Sequence, residues 1–104
     1  MLRVFAGFVL AFALTATASF AQQTVAVSGT VRDASGGVLR GATVNVVVAD
    51  QVVATVTTGE NGRYAAQVAS GVPFQIRTQL EGFAEQAIDV AGSSAPVTRD
   101  IALP

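Results

Sequence analysis

From Thr24 onward, apolar and polar positions alternate with a period of two, in short β-branched runs cut by clusters of Gly, Asn, Asp and Ser. No stretch of this region carries an apolar stripe at helical spacing. Residues 24–32 place Val25, Val27 and Val31 on one face, with Gly29 among them, and Ala26, Ser28, Thr30 and Arg32 on the other. The loop at 33–37 is rich in turn formers, and at least one of Val38 and Leu39 is expected to cap the core. Residues 42–49 follow, with Val44, Val46 and Val48 inward. Asp50-Gln51 is read as a tight link to a strand over 52–58. Asn61-Gly62 is the strongest turn signal, and a hairpin is expected there. Residues 63–69 turn Tyr64, Ala66 and Val68 inward. Pro73 opens a strand in which Phe74, Ile76, Thr78 and Leu80 alternate with Gln75, Arg77 and Gln79. The strand over 83–91 has Phe83 out of phase with Ile88 and Val90, so a bulge is expected between them. A last strand over 97–103 puts Arg99 near an edge with its guanidinium in water. These seven strands predict an all-β sandwich or barrel.

Residues 1–21 follow a different pattern. Arg3 precedes an apolar run from Val4 to Leu14, and small residues at Ser19 and Ala21 fit the cleavage preference of signal peptidase. The clean apolar run falls short of the roughly 20 residues a spanning helix needs. The expectation is a signal peptide over 1–21, a mature chain over 22–104, and a periplasmic or secreted location with membrane contact only during export.

Composition narrows the function. The chain is 51% hydrophobic and 12% charged, as expected of one small folded domain. Past the leader, five Arg face seven acids, a net charge of −2, which leaves no basic footprint for nucleic acid. There is no Cys, His or Lys. Without Cys there is no disulfide framework or thiol nucleophile. Without His or Cys a hydrolytic zinc site lacks its usual ligands, and a serine nucleophile lacks a base. No cofactor is expected, and the chain reads as a non-enzyme. Asp33 and Asp50 are read as turn formers, with a weak calcium site near Asp33 as the lesser reading.

Five segments, in order, resemble the carboxypeptidase regulatory-like domain family: Val27-Ser-Gly-Thr-Val-Arg-Asp-Ala-Ser-Gly-Gly, Leu39-Arg-Gly-Ala-Thr-Val, Thr57-Thr-Gly-Glu-Asn-Gly-Arg-Tyr, Gly71-Val-Pro-Phe and Glu81-Gly-Phe83. The resemblance implies a seven-stranded, antiparallel, Greek-key sandwich of the transthyretin-like type, serving as a non-catalytic accessory. Val38-Leu39 departs from it where a proline is frequent.

Two functional classes follow. The first is an interaction module for a protein or surface of the bacterial envelope. The second is a carbohydrate-binding module, for which the mature aromatics are Tyr64, Phe74 and Phe83. The candidate interaction patch is Arg63 and Gln67 on one strand with Gln75, Arg77 and Gln79 on the next. It requires those two strands to be neighbours.

Overall fold

The computed structural model describes residues 23–104, so the expected leader and the mature start at Gln22 lie outside the described residues. The chain forms β1 (Thr24–Asp33), β2 (Thr43–Val48), β3 (Gln51–Thr57), β4 (Arg63–Ala69), β5 (Phe74–Gln79), β6 (Gln86–Val90), β7 (Val97–Thr98) and β8 (Ile101–Leu103). Two four-stranded sheets result. One runs β4–β1–β7, with β8 also pairing β1, and the other runs β3–β2–β5–β6. The alternation seen in the sequence becomes burial between them. Val27, Val31, Val44, Val46, Ile76, Ile101 and Leu103 are all but sealed from solvent. Leu39 packs against this core, whereas Val38 stays exposed.

The connections account for most departures from the sequence expectation. β3 and β4 lie in opposite sheets, so residues 58–62 cross between sheets rather than closing a hairpin. Gly62 does take a left-handed conformation, with φ of 74°. Thr58 anchors this crossing: its buried hydroxyl accepts from the Ala42 N–H at 2.9 Å and donates to the Leu39 carbonyl at 2.7 Å. The β2–β3 hairpin turns on Ala49-Asp50, one residue earlier than expected, with φ of 50° and 66°. Paired positive φ values are those of the turns whose twist matches a hairpin. The bulge in this fold falls in the β2–β3 pairing beside Val46 and Val47. No bulge separates Phe83 from Ile88, because Phe83 belongs to the turn after Leu80, where its N–H donates to the Leu80 carbonyl at 3.0 Å.

The last strand is expected to be continuous and antiparallel. Instead β7 and β8 run parallel to β1 and are separated by Arg99 and Asp100. The register is unchanged across the gap, from Val27↔Val97 to Val31↔Ile101, so no residue is inserted. What changes is the hydrogen bonding. In an uninterrupted parallel ladder the Thr30 N–H would donate to the Arg99 carbonyl. Here it donates to the Asp100 carboxylate at 3.0 Å, and the Tyr64 hydroxyl takes the Arg99 carbonyl at 2.7 Å. The backbone at Arg99 thereby lies directly over Gly29, where a Cβ would overlap the Arg99 carbonyl. Burial and the nearby Asp100 carboxylate raise the Tyr64 pKa from 10.0 to about 12, against an opposing pull from Arg99.

Candidate polar face and its neighbours

The two strands carrying the expected patch do not pair. β4 pairs β1, whereas β5 lies between β2 and β6 in the other sheet. Arg63 and Gln67 are therefore exposed on the outer side of one sheet, and Gln75, Arg77 and Gln79 stand on the outer side of the other. Adjacency in sequence misleads here because the chain changes sheets between successive strands.

The β5 half of the patch acquires different neighbours. Register places Asn45 beside Arg77 and Asp89 beside Gln75. The Arg77 Nε donates to the Gln75 Oε1 at 2.6 Å, and the Gln75 Nε2 donates to the Asp89 Oδ1 at 3.0 Å. Thr55 donates to Asn45 at 2.8 Å on the same face. This row borders an open depression of about 390 Å³ whose wall also includes Val47 and Asp50. Asp89 and Asn45 were not singled out in the sequence. Their contribution depends on cross-strand register, which a single sequence does not state.

A second open depression, of about 620 Å³, is bordered by Thr43, Gln79, Leu80, Glu81, Phe83 and Glu85. Phe83 is half-buried there, while Tyr64 and Phe74 are buried in the core as expected. A third, of about 370 Å³, lies between the β3 and β4 margins and is lined by Val48, Val53, Val68 and Val72 with Thr24 and Gln67. The Thr24 hydroxyl donates to Gln67 at its rim.

Asp33 clasps its own loop. Its Oδ1 accepts from the Ser35 hydroxyl at 2.6 Å, the Ser35 N–H at 2.9 Å and the Gly37 N–H at 2.9 Å. The Ser35 hydroxyl, then the Gly37 N–H, hold its carboxyl below the ordinary value. Among the described residues, no three His, Cys, Asp or Glu side chains gather as a metal cluster would require.

Comparison with known proteins places the fold. A comparison with curated proteins found no match. Among solved structures, the chain is similar to chlorocatechol 1,2-dioxygenase from Pseudomonas putida, with a TM-score of 0.65 and 14% identity over 79% of this chain and 60% of that one. It thus spans about three-fifths of that enzyme's length. It is also similar to the dioxygenase domain of a dioxygenase carbohydrate-binding protein fusion from Streptomyces sp. SirexAA-E, with a TM-score of 0.61 and 16% identity over 85% of this chain and 84% of that one. The TIE protein of Bacillus anthracis matches with a TM-score of 0.61 and 12% identity over 78% of this chain and 16% of that one. Identities this low establish a common sandwich fold and nothing about chemistry. The family model of the carboxypeptidase regulatory-like domain matches residues 26–104, which take in all eight strands of the described residues but for the first two residues of β1, and the chain belongs to that family.

Proposed function

We propose that this chain is an exported, non-catalytic module that binds a partner protein or surface of the bacterial envelope through the outer face of the β3–β2–β5–β6 sheet. The observation that carries this reading is the Arg77–Gln75–Asp89 row. Tying Nε to Gln75 limits the freedom of the guanidinium before any partner arrives, which lowers the entropic cost of binding. Its terminal nitrogens remain available to a carboxylate or to main-chain carbonyls. The non-catalytic part rests on the residue inventory: with no His, Cys or Lys, the chain lacks the usual general bases for neutral pH and the usual ligands of a hydrolytic zinc.

A carbohydrate-binding module is the second reading, favoured by one observation. Phe83 borders a depression together with Gln79, Glu81 and Glu85, an aromatic ring beside polar groups. The two readings separate when the purified protein is tested in parallel against envelope extract and a glycan array. The interaction reading expects one enriched envelope protein and no glycan signal. Glycan binding abolished by Phe83→Ala, without protein capture, would replace it with the carbohydrate reading.

A further inference from the structure

We propose that β3 is a self-pairing edge, through which two copies of this chain join their four-stranded sheets into one antiparallel sheet about a two-fold axis at Val56. The inference goes beyond the proposed function and does not depend on it. It starts from the four sheet margins. β4 carries Arg63, β6 carries Asp89, and β7 and β8 are two and three residues long and flank Arg99 and Asp100. Charges and short lengths are the devices by which proteins keep strand edges apart. β3 has seven residues, Gln51-Val-Val-Ala-Thr-Val-Thr57, and contains no charge, no Pro and no Gly. Val52 and Val53 are 55% and 54% exposed, and Val53 lines an apolar groove beside this edge that has no ionisable group in its wall.

Backbone geometry specifies the pairing. Thr43 lies opposite Thr57, and the Thr58 N–H donates to the Ala42 carbonyl at 2.9 Å. Alternation along an antiparallel ladder then directs Val56 and Ala54 toward β2, and directs the N–H and C=O of Thr55 and Thr57 away from it. Among the described residues, nothing pairs with that side of β3. A second β3 running antiparallel, with Val56 opposite its own copy, sets Thr55 opposite Thr57 twice. All four outward groups of those residues on each copy are then satisfied. This register uses only the regular part of the strand and avoids the irregularity near Val52 and Val53. An uncharged, β-branched strand suits an uncharged edge, and β3 is such a strand. Two identical strands with any charge on this segment would confront like charges near the axis.

The absence of cysteine makes a direct test available, since a single introduced thiol forms only intermolecular disulfides. Opposed residues in a non-hydrogen-bonded antiparallel pair have Cα atoms about 4.5 Å apart, within disulfide range. Purified Val56→Cys is expected to cross-link to a covalent dimer under mild oxidation, while Ala87→Cys on the opposite edge stays largely uncross-linked. In sedimentation equilibrium the unmodified protein is expected to show a concentration-dependent dimer. Thr55→Pro removes an N–H that points away from β2, a position an edge strand tolerates. It is expected to remain folded by circular dichroism and to shift the population to monomer. A monomer at every concentration, a dimer that survives Thr55→Pro, or equal cross-linking of the two cysteine variants would overturn the proposal. A monomer that still captures an envelope partner refutes self-pairing and leaves the proposed function standing; a dimer without a partner does the reverse.

Discussion

Gly62 shows how a single residue sets a boundary between the two sheets. Its φ of 74° is rarely adopted by side chains with a Cβ, and a Cβ would lie 2.9 Å from both the Val31 carbonyl oxygen and the Val38 Cβ. Gly62→Val therefore combines backbone strain with overlap and should cost about 1–3 kcal/mol or more, read by chemical denaturation. An unchanged midpoint would contradict the crossing geometry. Tyr64 gives a pH signature. Its folded pKa of about 12 lies above its ordinary 10.0, so the folded state holds the phenolic proton more tightly. The resulting stabilisation is complete below pH 10.0 and is lost as the pH rises through about 12. Tyr64→Phe should flatten that alkaline loss. It should also cost about 1–2 kcal/mol at neutral pH, because the Arg99 carbonyl loses its donor. A Phe variant with the same alkaline profile would place the titration elsewhere. The inward facing of Tyr64 was legible in the alternation; the exchange of partners among Tyr64, Arg99, Asp100 and Thr30 was not. Those residues meet only when β7 and β8 fold back on β1, some 70 positions along the chain.

Strands were legible as elements wherever alternation was clean, and their pairing was not. The β5 pattern located a strand and its inner face correctly, with Phe74, Ile76 and Thr78 buried. It carried no information on whether β4 or β2 lay alongside, and the five-residue patch failed for that reason. The β2–β3 hairpin was displaced by one residue because Ala49 gives no turn signal, although it takes φ of 50°. Ala49→Asn replaces a residue poorly suited to that conformation with one that tolerates it. It should raise stability by about 0.5–1 kcal/mol, measured by urea denaturation. A loss of stability would mean that the turn is not held as described.

For the whole molecule, the ordered set of turn glycines and apolar positions was enough to identify the family, because those positions answer to the backbone and the core rather than to a ligand. The proposed interaction face left no comparable pattern, because its side chains are brought together by cross-strand register. Export is tested by intact mass: protein recovered after secretion should begin at Gln22, and retention of residues 1–21 would contradict a cleaved leader. The interaction face is tested by contrasting two arginines that the fold has set on opposite sheets. Both side chains point outward, so neither Arg77→Ala nor Arg63→Ala should move the melting temperature much. The direct measurement is quantitative capture of the enriched envelope protein by the unmodified chain and by each variant. The account predicts that Arg77→Ala lowers capture at least tenfold while Arg63→Ala retains it. Capture that both variants preserve, or that Arg63→Ala alone abolishes, would contradict binding through the outer face of the β3–β2–β5–β6 sheet.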